Sequence, residues 1–245
     1  MTKTIILIPS RLEATRLPNK PLIKINNKSL INHVYQKGVS TKIGEVYVAT
    51  GDQEIFDDVI QNKGKSILTK RDHLTGTDRI FEAFNNLNLN DVDYVINLQG
   101  DEPLIDIKDI VKLNNLAIKH NSEIATLACK LETKNIDNKN VVKVICDKNI
   151  EINKIGKAQK FIRSTDDQNL ENIYHHIGIY IYSISALQKF VNLKQSNNEL
   201  KLKLEQLRAL DNKIRIDVVF ANSIPIGVDT NEDYLEIKKL MEYKS

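Results

Sequence analysis

The sequence is poor in cysteine, in glycine and in long apolar runs. Of its 245 residues, two are cysteine, nine are glycine and none is tryptophan. The aliphatic run Ile5–Ile8 is stopped by Pro9. A membrane span needs roughly 20 apolar residues, and a secretory signal needs a longer apolar stretch followed by a small-residue cleavage site. We therefore expect no membrane segment and a location in the cytoplasm.

The two cysteines, Cys129 and Cys146, lie in apolar, strand-like runs and show no metal-ligand spacing. Free cysteines in such runs behave as small apolar side chains. We predict buried, reduced thiols rather than a disulfide or a zinc site.

The chain also lacks a dense block of positive charge. Its 35 lysines and arginines face 32 aspartates and glutamates, giving a formal net charge of +3. Nucleic-acid binding proteins usually concentrate basic residues in one footprint, so the charge balance favours a small anionic ligand. The content of 41% hydrophobic and 27% charged residues is typical of a globular protein and excludes disorder, collagen and coiled coil. Only seven of the basic residues are arginine. Because Arg and Gly are both scarce in this chain, the positions where they occur are candidates for functional sites.

The first half alternates short apolar strands with amphipathic helices. This alternation predicts βαβ units and a mostly parallel sheet flanked by helices. Ligands of such sheets bind beyond the carboxyl ends of the strands. The predicted strands are 4–8, 45–50, 66–69 and 93–98, and the predicted helices begin near 30, 52, 77 and 106.

The second half predicts a smaller, mixed, β-rich extension packed on the first sheet. No linker or repeat divides the chain, so we expect a single domain over 1–245, with halves 1–122 and 123–245 that are not separable. The polar segment 156–172 predicts an exposed loop. The predicted strands are 123–131, 141–147, 174–183 and 214–220, and the predicted helices are 185–191, 199–210 and 231–243.

The segment Pro9–Leu22 joins the first strand to a helix and carries Arg11, Arg16 and Lys20. Arginine binds phosphate oxygens through two donors, and lysine supplies a compact charge. The segment therefore predicts a phosphate site, the alternative being an exposed basic loop. It matches neither the Walker loop nor the Gly-x-Gly-x-x-Gly pattern.

Two acidic segments are candidate metal ligands. Asp101 follows the fourth strand within Gln99–Pro103, and Asp229 lies within Gly227–Thr230. Magnesium binds one or two protein carboxylates together with substrate phosphates. Either aspartate is also explained as the N-cap of the helix that follows it.

Three further segments are weaker signals. Thr75–Arg79 starts a helix, whose first turn favours an anion but is equally explained as a cap. His175 and His176 are neighbours on a predicted strand, so their side chains point to opposite faces, and we expect one of them to be exposed. Leu204–Arg208 reads as an ordinary amphipathic helical stretch.

Taken together, these segments resemble the 3-deoxy-manno-octulosonate (KDO) cytidylyltransferases, also called CMP-KDO synthetases. Each motif is modest alone, but their joint order and spacing are specific. The resemblance extends over residues 5–233 and is carried by Pro9–Leu22, Thr75–Arg79, Leu98–Pro103, His176–Tyr180, Leu204–Arg208 and Gly227–Thr230.

The resemblance implies a nucleotide-diphosphosugar-transferase-like α/β fold, a homodimer and the reaction of CTP with KDO to give CMP-KDO and pyrophosphate for lipopolysaccharide biosynthesis. Arg11 and Lys20 would hold the triphosphate, and Asp101 and Asp229 would ligate Mg²⁺. The implied nucleotide-binding residues also include Pro9, Ser10, Thr75, Gly76 and Arg79. The implied sugar-binding residues are Gln99, Arg163, His176, Tyr180, Glu205 and Gln206.

The sequence departs from the family at two places and leaves alternatives open. Asn19 and Asn27 stand where the family usually has Gly, and asparagine is the residue that best replaces Gly in the left-handed region. The residues around Arg163 lack the family's usual Ser before the arginine and its Ile-Pro-aromatic run after it. The alternatives are an amino-KDO or sialic-type acid as substrate, a catalytically silent nucleotide-binding protein, and a glycosyltransferase.

Overall fold

The computed structural model describes residues 2–13, 16–164, 171–224 and 226–242. Two compact units account for the chain. The first contains Lys3–Lys108 and Pro225–Ser245, and the second contains Asp109–Ile224. The expected single domain stays a prediction.

The first unit is built on a parallel sheet in the order β5-β4-β1-β6. Residues Ile5–Ile8 of β1 are fully buried, as expected for a parallel strand covered on both faces. In chain order, the elements are β1 (Thr4–Ser10), β2 (Lys24–Ile25), β3 (Lys28–Ser29), α1 (Leu30–Ser40), β4 (Val46–Thr50), α2 (Gln53–Gln61), β5 (Ser66–Leu68), α3 (Gly76–Asn86) and β6 (Tyr94–Asn97).

Asparagine takes the place of glycine at the tight turns of this unit. Asn19 has φ 54°, and Asn26 and Asn27, which join β2 to β3, have φ 48° and 60°. Positive φ at both central residues is the geometry of a two-residue hairpin turn. The left-handed backbone expected at Asn19 and Asn27 is confirmed.

The second unit is a mixed sheet in the order β10-β7-β11-β9-β8, and it closes on itself because β10 also pairs with β8. Of its pairings, β7 with β11 is parallel and the others are antiparallel. The elements are α4 (Ile107–Lys119), β7 (Ile124–Lys130), β8 (Lys143–Cys146), α5 (Ile150–Asn153), β9 (Ile155–Ile162), β10 (Ile173–Ser183), α6 (Ile184–Val191), α7 (Asn197–Leu202), α8 (Leu207–Asp211) and β11 (Ile216–Phe220). The last helix, α9 (Asn231–Glu242), belongs to the first unit.

Two secondary-structure predictions are wrong. The expected loop at 156–172 begins with strand β9, whose buried residues lie at its ends while its middle is mostly exposed. The polar centre of this strand has the composition of a loop, which explains the difference. Residues 165–170 of that segment lie outside the described residues. The expected helix over 199–210 is two helices, because Lys203 adopts a left-handed conformation with φ 53° after α7.

Both cysteines are buried and unbonded, which confirms the reduced thiols. Burial raises the pKa of each thiol to about 12, and this keeps both protonated. None of the helices in the described ranges combines the length and apolarity that a bilayer crossing requires.

Candidate active site

A cleft of about 420 Å³ opens in the first unit, beside the carboxyl ends of β1 and β6. This is the edge where parallel sheets bind ligands. The residues expected at the nucleotide and the metal all line it, together with Gln99: Pro9, Ser10, Arg11, Lys20, Thr75, Gly76, Arg79, Asp101 and Asp229.

Lys20 brings the two acidic segments together at this cleft. Its ammonium donates to Oδ2 of Asp101 at 2.7 Å, to Oδ1 of Asp229 at 3.3 Å and to the carbonyl of Val228 at 2.8 Å. Burial lowers the pKa of Lys20, but the two carboxylates outweigh it and raise the pKa above its usual value. Arg16 adds a second cation, 3.3 Å from Asp229.

Neither aspartate serves as the helix cap that its sequence position also allowed. Thr230 and Asp233 cap α9: the Thr230 hydroxyl accepts from the backbone N–H of Asp233, and the Asp233 carboxylate accepts from the backbone N–H of Thr230. Ahead of α4, it is the Asp106 carboxylate that accepts from the backbone N–H of Lys108. The carboxylates of Asp101 and Asp229 are therefore directed at Lys20 instead.

Glycine allows the segments of the cleft to approach one another. A Cβ at Gly100 would lie 3.2 Å from the carbonyl oxygen of Pro9, and a Cβ at Gly76 would lie 3.2 Å from the Pro9 ring. Thr75 caps α3 by accepting from the backbone N–H of Asp78, so the capping interpretation of this segment holds. The start of α3 nevertheless lines the cleft.

Arg79 is a buried anchor of the cleft wall. Its guanidinium donates to the Thr69 hydroxyl at 2.7 Å and to the carbonyls of Lys70 and Arg71 at 2.9 and 3.1 Å. Burial lowers its pKa. Arg79 thus holds the 69–71 segment at the edge of the cleft.

The second unit contains the remaining sugar-site candidates. His176 and Tyr180 are buried on β10, with 3.1 Å between Nε2 and the phenol oxygen. Nε2 also lies 3.1 Å from the Thr126 hydroxyl. Burial, followed by the neighbouring His175, lowers the pKa of His176 to about 3, so its imidazole is neutral at pH 7. His175 is half-buried, so the expectation that one histidine is exposed is wrong.

Arg163 and the turn that carries Glu205 and Gln206 are joined by hydrogen bonds. The guanidinium donates to the carbonyls of Leu202 and Lys203, immediately before the turn, at 2.8 and 3.1 Å. Gln206 is buried at the start of α8. The expected helical stretch Leu204–Arg208 begins as a turn and becomes helical only at Leu207. Arg163 holds the two residues that lead into this turn.

Sequence reasoning missed Glu102, the neighbour of Asp101. Its Oε2 is buried and has no hydrogen-bond partner among the described residues. Burial, followed by the charges of Asp101 and Asp229, raises its pKa to about 8. The sequence holds adjacent acids at 101 and 102, but it gives no signal for which of them turns inward.

His73 was also missed. It lines the cleft and is paired with Glu82 of α3. A histidine in a polar segment between β5 and α3 carries no pattern that distinguishes it from a surface residue.

The fold and the cleft define an α/β protein whose ligand site lies at the carboxyl edge of a parallel sheet. A solved UDP-glucose pyrophosphorylase, complexed with UDP-glucose, aligns over the whole of both chains with a TM-score of 0.70 at 13% identity. At that identity, the match shows the fold alone. The expected α/β fold is confirmed.

Comparisons with more similar proteins identify the family within this α/β fold. The family model described as cytidylyltransferase matches residues 5–216. The 3-deoxy-manno-octulosonate cytidylyltransferase of Brucella ovis is 42% identical over 234 residues, which cover 94% of this chain and 92% of that protein. The Brucella anthropi protein of the same name is 42% identical, with 94% and 93% covered. A solved structure of CMP:2-keto-3-deoxy-manno-octonic acid synthetase complexed with CTP aligns over the whole of both chains, with a TM-score of 0.90 and 32% identity. The chain therefore belongs to the 3-deoxy-manno-octulosonate cytidylyltransferase family, a family of nucleotidyltransferases.

Proposed function

We propose that the protein transfers CMP from CTP to the C2 hydroxyl of 3-deoxy-D-manno-octulosonate, giving CMP-KDO and pyrophosphate. The observation that carries the proposal is the cluster of Lys20, Asp101 and Asp229 in a cleft that Arg11 and Arg16 also line. Basic residues suit a triphosphate, and paired carboxylates suit the cation that accompanies it.

Arg11 and Lys20 are proposed to hold the triphosphate. Phosphoryl transfer depends mostly on positioning and charge neutralisation. Arg11 is exposed at the carboxyl end of β1, so its guanidinium is accessible to phosphate oxygens. Lys20 stays cationic in spite of its burial, because the carboxylates of Asp101 and Asp229 outweigh the effect of burial on its pKa. The start of α3, at Thr75 and Gly76, would add the backbone N–H groups of a helix N-terminus.

Asp101 and Asp229 are proposed to hold Mg²⁺. In the described ranges, no group of three or more His, Cys, Asp or Glu side chains is placed to hold a metal by itself. The two carboxylates do converge on one ammonium, and two carboxylates plus substrate phosphates form a usual magnesium ligand set. When bound, Mg²⁺ supplies charge neutralisation on the phosphates and lowers the pKa of the attacking hydroxyl.

The sugar acid is proposed to bind Gln99, Arg163, His176, Tyr180, Glu205 and Gln206. Three donors of the Arg163 guanidinium are bound to main-chain carbonyls, and a guanidinium has five. Within the part of the chain that the structure describes, the other two donors are not occupied, and they are proposed to pair with the carboxylate of the sugar acid. In the reaction, the C2 oxygen forms a bond to the α-phosphorus as the bond from that phosphorus to pyrophosphate breaks. The hydroxyl proton is released.

We further propose, from the family resemblance, that the protein works as a homodimer in the cytoplasm and supplies lipopolysaccharide biosynthesis. Size-exclusion chromatography with light scattering tests the dimer: a mass near 56 kDa, about twice the chain mass of 28.0 kDa, supports it, and a mass near 28 kDa contradicts it.

A substrate panel tests the function. Purified protein, CTP and Mg²⁺ are incubated with KDO, an amino-KDO or a sialic acid, and pyrophosphate is measured. We expect release with KDO only. Release with another sugar acid alone would keep the chemistry and change the substrate, and CTP binding without release would indicate a silent nucleotide-binding protein.

A further inference from the structure

Lys143 is a fully buried lysine that the proposed reaction does not use. It lies at the start of β8 in the second unit, with a relative exposure of 0%. Lysine is almost never fully buried unless its charge is paired. Burial of an ammonium carries a large desolvation penalty, so an apolar side chain of similar volume would often be at least as stable there. A buried charge at this position therefore calls for an explanation beyond packing.

The ammonium of Lys143 is satisfied by main-chain oxygens. It donates to the carbonyl of Asn138 at 2.7 Å and to the carbonyl of Arg163 at 2.9 Å. Burial lowers its pKa, and the charge of Asp137 opposes that shift. His175 of β10 is its cross-strand neighbour. The charge of Lys143 in turn lowers the pKa of His175, after the larger effect of burial.

The Arg163 side chain binds the same loop as Lys143 and, in addition, the segment that leads into the turn of Glu205 and Gln206. The Arg163 guanidinium donates to the carbonyl of Lys139 at 3.1 Å, one residue beyond the carbonyl that Lys143 binds. It also donates to Leu202 and Lys203, which lead into the turn of Glu205 and Gln206. Lys143 thus fixes the backbone of Arg163 and the neighbouring loop, and Arg163 fixes the turn.

We infer that Lys143 is a positioning residue for the sugar acid: through two main-chain carbonyls it sets the place of the Arg163 guanidinium and, through Arg163, of the turn carrying Glu205 and Gln206. The inference rests on the proposed function, because it assigns those side chains to the sugar. Lys143 itself is buried and acts only through Arg163. A small displacement of a binding group is enough to weaken an interaction that depends on geometry.

A double-mutant cycle tests the inference. KM values for KDO and for CTP, together with kcat, are measured for wild type, Lys143→Met, Arg163→Gln and the double variant. We expect Lys143→Met to raise the KM for KDO by about tenfold or more while the KM for CTP stays within about twofold. In the Arg163→Gln background, the same substitution adds no further rise, because the two residues act in series. Lys160→Met, at an exposed position on the adjacent strand β9, is the matched control and leaves both KM values unchanged.

Other outcomes overturn the inference. An unchanged KM for KDO, an equal rise in both KM values, or additive effects in the double variant would show that Lys143 has a structural role only. If Lys143→Met does not fold, Lys143→Gln retains two donors, and we expect a smaller rise in the KM for KDO. Failure of both variants to fold would also reduce Lys143 to a structural residue. A wild type that shows no KDO-dependent turnover would instead refute the proposed function.

Discussion

The ammonium of Lys20 lies 2.7 Å from Oδ2 of Asp101, although 81 residues separate the two in the chain. The contact joins the basic loop after β1 to the acidic segment after β6. The same ammonium also pairs with the Asp229 carboxylate, so Lys20 lies between the two aspartates. The phosphate-binding and metal-binding candidates of the sequence thus form one cluster.

Asp101→Asn is expected to lower kcat by about 100-fold or more, because several kcal/mol of charge stabilisation at the phosphates would depend on this carboxylate. The free energy of unfolding should change by no more than about 1 kcal/mol, since the side chain is partly exposed. Pyrophosphate release and urea unfolding measure the two effects. Asp91→Asn, at an exposed position paired with Lys3, is the matched control, and near-wild-type turnover of Asp101→Asn would refute the metal role.

Substitutions at the neighbours Asp229 and Thr230 should have different effects, the first on kcat and the second on the free energy of unfolding. Asp229→Asn is expected to lower kcat strongly and to leave α9 capped, because the Thr230 hydroxyl provides the cap. Thr230→Val removes that cap and should lower the free energy of unfolding by about 1 kcal/mol with kcat retained. Steady-state kinetics and urea denaturation of both variants check this. A loss of stability in Asp229→Asn together with a loss of kcat in Thr230→Val would contradict these roles.

His176 should make the protein sensitive to acid. Its pKa is lowered from 6.5 to about 3 in the folded state, so the unfolded chain binds a proton at a higher pH than the folded chain. The free energy of unfolding is unaffected by the titration of this histidine above pH 6.5. As the pH falls from 6.5 toward 3, protonation of the unfolded chain lowers the free energy of unfolding by up to about 1.4 kcal/mol per pH unit. Urea unfolding across this range should show a shallower loss for His176→Gln. The exposed His120→Gln control should keep the wild-type slope, and an equal slope in all three proteins would exclude His176 as the cause.

The buried pair of Glu199 and Arg208 should contribute strongly to the stability of the second unit. The guanidinium donates to both carboxylate oxygens, at 2.9 and 2.6 Å, and both side chains are almost fully buried. Glu199→Gln removes the negative charge from this buried pair and should cost about 3 kcal/mol in the free energy of unfolding. Urea denaturation measures it against Glu171→Gln at an exposed position. A loss below 1 kcal/mol would mean that the pair adds little.

The parallel sheet of the first unit was predictable because its strands β1, β4, β5 and β6 are short apolar runs that alternate with helices of clear apolar face. The buried run Ile5–Ile8 and the cap Thr75 are examples in which local chemistry and fold agree. The loop with Lys20 comes after β1, and the segment with Asp101 comes after β6. Because these two strands are parallel neighbours, their carboxyl ends lie at the same edge of the sheet, and this explains why the two segments meet.

The remaining errors have physical causes. Strand β9 has a polar middle, and its pairing with β8 and β11 depends on partners distant in sequence. The break at Lys203 lacks the Gly or Asn that usually marks a left-handed residue. Ahead of α9, Asp229, Thr230 and Asp233 are all candidate caps, and only the three-dimensional contacts distinguish them. The contacts of Arg163 and Lys143 are to main-chain carbonyls, for which the sequence carries no signal.

Transfer of CMP to the sugar acid is tested by following the α-phosphorus of CTP by ³¹P NMR, with protein, Mg²⁺ and KDO present. For a KDO cytidylyltransferase we expect a new phosphodiester resonance attached to the sugar acid and one equivalent of pyrophosphate, both dependent on KDO and on Mg²⁺ and both lost in Asp101→Asn. Persistence of the CTP signals while CTP is bound, with KDO in excess, would contradict it.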